Sequence, residues 1–285
     1  MVKTIGNPLT WGARTAAAAG SHIVHVGENV AGADAEPQVR SISVADLKVA
    51  LRKGVADFAM FRTDVAVLCV LYPLIGGLLA WLAFDRNLLP LLFPLASGFA
   101  LIGPVAAVGM YEMSRRHEMG LKTSWADAFA VLRAPAFGAI FVLGLVLFGL
   151  FILWLITAQV IYAMTMGPEA PSSLMGFTRD VLGTSGGRWM IVLGISVGFV
   201  FAAAVLVVTL VSFPLLLDRN VGVPVAVATS LRVARRNPGP VAVWGLIVAV
   251  LLVLGSIPVF LGLIVVMPIL GHATWHLYRA AVVPL

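Results

Sequence analysis

Charged side chains are scarce in this sequence. Of its 285 residues, 11% are Asp, Glu, Lys or Arg and 60% are hydrophobic, and the mean hydropathy is +1.01. Soluble globular proteins carry about 25% charged and about 45–50% apolar residues. Because a water-facing surface of this size needs many more charges, the composition excludes an ordinary soluble domain and indicates a protein of the lipid bilayer.

Several kinds of functional site are missing as well. No segment combines a nucleophile with a base, pairs two carboxylates for acid–base chemistry or forms a phosphate-binding loop. Ionisable residues within membrane spans mark proton and ion pathways, whereas Asp64, Glu112 and Asp218 stand at the ends of the long apolar runs. The single Cys69 cannot form a disulfide within the chain. We therefore expect no catalytic residue, no cofactor and no charge-coupled transport.

Long apolar runs are abundant. A helix needs about 20 apolar residues to cross a hydrocarbon core of about 30 Å, and the runs 64–84, 88–111, 136–166 and 190–217 reach this length. The stretch 240–282 is long enough for two spans with a turn at residues 255–258, although one kinked span is the alternative. The sequence thus predicts an all-α membrane protein with six transmembrane helices.

The basic residues lie on one side of this predicted topology. With both termini inside, sixteen Lys and Arg residues fall on the cytoplasmic side, and only Arg86, Arg179 and Arg188 fall on the other. This asymmetry predicts a bacterial inner-membrane protein with both termini cytoplasmic. It also accounts for the net charge of +6. The expected partner of these charges is therefore the bilayer, including its anionic lipids, and not nucleic acid.

The chain divides into three regions by pattern. Residues 1–40 are rich in Gly and Ala and show no period, which indicates a flexible cytoplasmic tail in which Trp11 could contact a membrane or a partner. Residues 41–62 are predicted to form an amphipathic interfacial helix. Its apolar positions are Val44, Leu47, Leu51, Val55 and Phe58. Residues 63–285 are predicted to form the six-helix transmembrane bundle.

A weak internal repeat predicts two further amphipathic helices on the cytoplasmic side. Residues 124–132 and 224–231 each precede an Arg-x-Pro corner, formed by Arg133 and Arg236 with the prolines two residues later, and each corner leads into an apolar run. The residue before a proline is biased out of helix, so both helices are expected to end there. The two arginines are expected to reach lipid headgroups as interfacial anchors.

Three segments resemble the signature of one family. They are GHATWHLYR at 271–279, DLKVALRKG at 46–54 and GPVAAVGMYE at 103–112. Together they resemble the proteobacterial integral membrane proteins catalogued as domain of unknown function twenty-one eighty-nine. The resemblance covers most of residues 41–282 and implies a six-span inner-membrane protein. It implies no activity, although a cytochrome-oxidase-like label on some members points to an association with respiratory proteins.

His272 and His276 lie four residues apart and share one helical face. Two imidazoles at this spacing can bind one metal, and they are the candidates for a metal or haem site. No carboxylate or cysteine in the sequence pattern joins them, and two ligands are too few for a structural zinc site. The favoured interpretation is an interfacial belt in which Trp275, Tyr278 and Arg279 anchor the end of the last helix.

Small residues recur every fourth position in the predicted fourth span, at Gly194, Gly198 and Ala202. Such a stripe permits close approach of a second helix, either within the bundle or from another protein. Packing within the bundle is the favoured interpretation.

The absence of a reaction site and of a charged pathway favours a non-enzymatic accessory or structural subunit of a larger respiratory or photosynthetic membrane complex. The proline-rich spans and the repeat keep open a transporter or a lipid- or small-molecule-handling protein. A haem- or metal-binding protein that uses His272 and His276 is the second alternative.

Overall fold

The computed structural model describes residues 37–69, 74, 77–78, 81, 89–101, 103–169, 171, 173–258 and 260–284. Trp11, residues 1–36 of the predicted tail and most of the predicted span 64–84 lie outside them. The described part is helical and contains no strands. Its α-helices are α1 (Val44–Cys69), α2 (Leu92–Leu101), α3 (Gly103–Ala106), α4 (Val108–Glu118), α5 (Phe137–Met166), α6 (Leu174–Gly183), α7 (Ser185–Thr209), α8 (Ser212–Asp218), α9 (Val223–Arg236), α10 (Pro238–Ser256) and α11 (Leu263–Ala281). Two 3₁₀ helices cover Leu89–Leu91 and Trp125–Arg133.

Three stretches of the described residues are helical, long and apolar enough to cross a membrane. They are Phe137–Met166, Ser185–Asp218 and Pro238–Ser256. Helices suit lipid because every backbone polar group is paired within the segment. The expected number of six is not found among the described residues, although the all-α class and the membrane-spanning character are confirmed.

The predicted span 88–111 is not one helix. A 3₁₀ turn covers Leu89–Leu91, the described residues from Leu92 to Ala106 are helical with Ile102 outside the description, and a turn at Ala107 precedes α4. Pro90, Pro94 and Pro104 each lack a backbone N–H, and proline within a helix interrupts the hydrogen-bond ladder. The sequence pattern therefore found the apolar run but missed its interruptions.

The stretch 240–282 forms two helices, as one of the two alternatives predicted. Helix α10 ends at Ser256 and α11 begins at Leu263, with turns between them that start at Ile257. Helix α11 is not among the helices apolar enough to cross a membrane. Its carboxyl half carries His272, His276 and Arg279, which lower its hydropathy.

Helix α1 packs along α11, and its buried line is Leu47, Ala50, Gly54, Asp57 and Phe61. A Cβ on Gly54 would stand 2.7 Å from the Cβ of Ala273 and 2.8 Å from the Ile269 carbonyl oxygen, so only glycine permits this approach. Of the predicted apolar positions, Leu47 lies in this buried line, whereas Val44 and Val55 are exposed. The predicted interfacial helix 41–62 also continues to Cys69, and its buried face contacts protein.

The described end of the predicted flexible tail is held against the carboxyl terminus. The Arg40 N–H donates to the Ala281 carbonyl at 2.8 Å, and the Val283 N–H donates to the Gln38 carbonyl at 2.9 Å. Asn237 reinforces this pairing, because its Oδ1 accepts from the Ile42 N–H at 2.8 Å and its Nδ2 donates to the Arg40 carbonyl at 3.1 Å. Residues 37–40 are therefore not part of a free tail.

The two predicted amphipathic helices are present. The first is the 3₁₀ helix Trp125–Arg133, which begins with a capping box between Ser124 and Asp127. The second is α9, which carries a proline at its start and is followed directly by α10. Arg116 of α4 forms an ion pair with Asp127 at 3.0 Å, which connects the Trp125–Arg133 helix to α4.

Candidate functional site

Three helices bring four polar side chains together inside the protein. Helix α1 contributes Asp57, α4 contributes Ser114, and α11 contributes His272 and His276 from successive turns of one face. Asp57 is 5% exposed, Ser114 is 1% exposed and His272 is fully buried. Buried polar groups require hydrogen-bond partners, and these four supply them to one another.

The four side chains form a continuous hydrogen-bond chain. Ser114 Oγ donates to Asp57 Oδ2 at 2.6 Å, and His276 Nε2 contacts the same carboxylate oxygen at 2.9 Å. Ser114 Oγ lies 2.8 Å from His272 Nδ1. Because the one hydroxyl proton of Ser114 goes to Asp57, His272 must carry its proton on Nδ1 and donate it to Ser114. His272 Nε2 is then unprotonated, and it has no hydrogen-bond partner among the described residues.

Burial and hydrogen bonding keep His272 neutral and Asp57 ionised. Burial lowers the pKa of His272 to about 4, against the opposing attraction of Asp57, so this imidazole is neutral near pH 7. Burial acts to raise the pKa of Asp57, but the hydrogen bonds from His276 and Ser114 outweigh it and hold the pKa of this carboxyl below its ordinary value. Asp57 is therefore an ionised carboxylate in a largely buried position.

A cavity of about 400 Å³ opens beside the cluster, between α1, α4 and α11. Asp57, Ser114 and His276 form part of its wall, whereas His272 lies behind them. Both signs of charge border it. The charged groups and the second imidazole on its rim are Asp46, Lys53, His117, Glu118 and Arg279. A cavity of this size and lining is suited to a small polar molecule.

The expected interfacial belt is instead part of the protein interior. Trp275 and Tyr278 are each 1% exposed. Trp275 Nε1 donates to Glu118 Oε2 at 3.0 Å, and Tyr278 Oη donates to Asp218 Oδ2 at 2.6 Å. Arg279 donates to Glu118 at 3.1 Å. These side chains join α11 to α4 and α8, which corrects the interpretation of Trp275 and Tyr278 as lipid anchors, whereas Arg279 stays partly exposed.

The other predicted site residues have separate places. Arg133 and Arg236 are exposed, and Arg236 donates to Ser41 Oγ at 3.1 Å. Gly198 lies beneath Trp154 of α5, where a Cβ would be 3.1 Å from the indole. A Cβ on Gly194 would meet nothing within 4 Å, and Ala202 is exposed. Packing within the bundle thus uses one member of the stripe.

His272 and His276 were the metal candidates, and the structure shows both imidazoles in hydrogen-bond contacts. Across the described residues, no three His, Cys, Asp or Glu side chains are arranged to hold a metal ion. Sequence reasoning found the two histidines from their spacing but missed Asp57 and Ser114. Asp57 could have been found from its position, because it lies three residues after Gly54 and seven after Ala50 and so shares one helical face with these small residues.

Residues 92–218 match a family described as "Predicted integral membrane protein (DUF2189)". The matched region contains the 103–112 segment that carried part of the resemblance, and it includes two of the candidate spans. The segments 46–54 and 271–279 lie outside the match. No curated protein and no solved structure matches the chain. The family match and the apolar helices together identify an integral membrane protein.

Proposed function

We propose that this chain is a non-enzymatic, multi-pass protein of a proteobacterial inner membrane and an accessory or structural subunit of a larger respiratory or photosynthetic complex. The observation that carries this proposal is the exposure of α7. Of its 25 residues, only Gly187, Val205 and Thr209 are buried. Several large apolar side chains are exposed along the helix, among them Phe199 at 72% and Ile195 at 61%.

One side of α7 packs on α5, where Phe201 meets Trp154, and its exposed side offers a surface to lipid or to another helix. Gly194 and Ala202 add open, small positions on the same helix. Helix association in lipid depends on close packing of backbones, and small residues permit it. The exposed side of α7 therefore supports association with a second membrane protein.

Site-specific photo-crosslinking in native membranes tests this role. A photoreactive residue in place of Phe199 should capture one subunit of a membrane complex, identified by mass spectrometry and recovered in proportion to this chain. The matched control replaces Leu246 of α10, which is 64% exposed, and it should capture mainly lipid. Purified native protein that migrates as a monomer, with lipid alone on Phe199, would contradict the proposal.

The proposed orientation places both termini and the basic end in the cytoplasm. Among the described residues, only Arg179 and Arg188 lie at the end that contains α6. The other described Lys and Arg residues lie on or next to α1, α4, the Trp125–Arg133 helix, α8, α9 and the carboxyl end of α11. This distribution supports a positive-inside arrangement, with anionic headgroups as the partner of exposed arginines such as Arg133 and no role for nucleic acid.

The cavity beside Asp57 favours a second candidate function, the handling of a small molecule or a lipid. Ala56 lines this cavity, and Ala45 is an exposed alanine on the same helix that does not line it. Native mass spectrometry of the purified protein should detect a bound molecule that is lost in Ala56→Phe and kept in Ala45→Phe. An adduct of equal abundance in both variants would place the molecule elsewhere and remove this candidate.

A further inference from the structure

We propose that the cavity between α1, α4 and α11 binds a zwitterion, with its ammonium group on Asp57 and its anionic group on Lys53. Phosphoethanolamine, either as a lipid headgroup or as a free molecule, carries this chemistry. The inference goes beyond the accessory role and does not depend on a partner protein.

Asp57 is prepared to receive a hydrogen-bond donor that carries positive charge. Its Oδ2 is held by Ser114 and His276, whereas its Oδ1 has no hydrogen bond among the described residues and the side chain lines the cavity. An ionised carboxylate in a largely buried position is stabilised by a paired cation. A primary ammonium supplies both the charge and the N–H donors, in a charge-assisted hydrogen bond.

Lys53 supplies the opposite charge one helical turn away. It lies four residues before Asp57 on α1, borders the same cavity and forms no ion pair in the part of the chain that the structure describes. The other cation on the rim, Arg279, is held by Glu118 at 3.1 Å and Asp218 at 3.5 Å. Lys53 is therefore the cation that remains available to an anionic group.

The cavity is lined by both acidic and basic side chains, and this favours a zwitterion over a simple anion or a simple cation. A simple anion would face the carboxylates of Asp57 and Glu118, and a simple organic cation would face Lys53 and Arg279. No three side chains among the described residues are placed as metal ligands. A molecule with an ammonium and an anionic group a few bonds apart satisfies both sides of the cavity, and about 400 Å³ accommodates one of this size.

The experiment measures binding by the purified full-length chain, with no partner present. One arm titrates free O-phosphoethanolamine against the detergent-solubilised protein by calorimetry. The other compares thermal unfolding in nanodiscs of phosphatidylethanolamine with unfolding in nanodiscs of phosphatidylcholine, whose quaternary ammonium has no N–H to donate. Binding in the first arm identifies a soluble ligand, and selective stabilisation in the second identifies a lipid headgroup. Failure of both arms overturns the proposal.

Matched variants locate the binding. Asp57→Asn and Lys53→Gln should each weaken binding at least 10-fold, and Lys48→Gln, at an exposed position on α1 away from the cavity, should leave it unchanged. Because Asp57→Asn disturbs a buried network, Ala56→Phe provides a variant that fills the cavity and leaves the network intact. Unchanged binding in Lys53→Gln and Ala56→Phe overturns the proposal. A monomer that still binds the ligand would contradict only the accessory role.

Discussion

Ser114 connects two buried groups that have few other partners. Its hydroxyl donates to Asp57 and accepts from His272, and all three side chains are at most 5% exposed. Ser114→Ala removes the hydroxyl that accepts from the His272 Nδ1–H in a buried position. We expect the free energy of unfolding to fall by about 1–3 kcal/mol, as for other buried groups that lose a partner. Denaturation of the detergent-solubilised protein measures this loss.

Ser185→Ala is the control, because Ser185 is exposed at the start of α7. Its unfolding free energy should stay within about 0.5 kcal/mol of the wild-type value, as is usual for surface substitutions. Equal losses in the two variants would show that Ser114 does not connect the network.

The lowered pKa of His272 predicts that the protein becomes less stable in mild acid. Its pKa is about 4 in the folded protein and 6.5 without burial. The unfolded chain therefore takes up a proton between these two values while the folded chain does not. The contribution of His272 to the free energy of unfolding is complete above pH 6.5. It decreases by up to about 3 kcal/mol as the pH falls toward 4. Unfolding measured across this range should show the decrease.

His272→Gln should flatten the pH dependence between pH 6.5 and 4. His117→Gln removes an exposed imidazole on the cavity rim and should retain the dependence. A slope that survives in His272→Gln would assign the effect to another group.

The histidines of the site were predictable and their partners were not. His272 and His276 are four residues apart, and spacing within one helix can be read from the sequence alone. Ser114 Oγ and His272 Nδ1 are separated by 158 residues along the chain, and Asp57 and His276 by 219. Such contacts depend on which helices pack together, and the hydrophobic period of each helix does not specify its neighbour.

The contact between α1 and α11 depends on a position without a side chain. A Cβ at Gly54 would overlap Ala273 at 2.7 Å. Gly54→Val should therefore force the two helices apart and lower the free energy of unfolding by about 1–3 kcal/mol, the usual cost of overpacking. Ala45→Val introduces the same side chain at an exposed position of α1 and should leave thermal unfolding nearly unchanged. Equal behaviour of the two variants would contradict this packing.

Asn237 holds the segment before α1. Asn237→Ala removes the acceptor of the Ile42 N–H, a bond of 2.8 Å in a buried position. Hydrogen exchange at the Ile42 amide should accelerate about 10-fold, which corresponds to about 1.4 kcal/mol of lost protection. Ser41→Ala removes only the exposed contact with Arg236 and should leave this amide protected. An unchanged exchange rate in Asn237→Ala would show that the segment is held by other contacts.

The helices whose ends are marked by capping residues or prolines in the sequence were the predictable elements. Ser124 and Asp127 cap the Trp125–Arg133 helix, and the corners near Pro135 and Pro238 precede α5 and α10. The run 88–111 was read as one span because hydropathy counts apolar side chains, whereas its continuity depends on backbone donors that its prolines lack. The face of α1 that packs against protein was not predictable from large apolar residues, because Ala50, Gly54 and the paired Asp57 lie on it.

The orientation of the whole molecule is testable with two leucines. Leu121 lies at the basic end and is 49% exposed, and Leu182 lies in α6 at the other end and is 67% exposed. With Cys69 replaced by serine, Leu182→Cys should react with an impermeant thiol reagent in spheroplasts. Leu121→Cys should react only after the membrane is opened. The reverse pattern would place the basic end outside.

Composition and charge were sufficient for the class of the whole molecule. A chain with 11% charged residues, whose described part includes three helical stretches of spanning length, belongs in lipid. The span count was less predictable, since α11 reaches the same length as α10 but carries a polar carboxyl half that packs against α1 and α4. Whether an apolar run meets lipid or protein is a property of the assembled fold.

The pairing of residues 38–40 with 281–283 has a consequence for biosynthesis. Helix α1 leaves the ribosome well before α11, which covers its buried face. Until α11 is synthesised, the Asp57 carboxylate and the groove at Gly54 have no permanent cover. Assembly of this end must therefore await the synthesis of α11. A ribosome stalled before residue 263 would leave a nascent protein whose first helix is still available to chaperones and proteases.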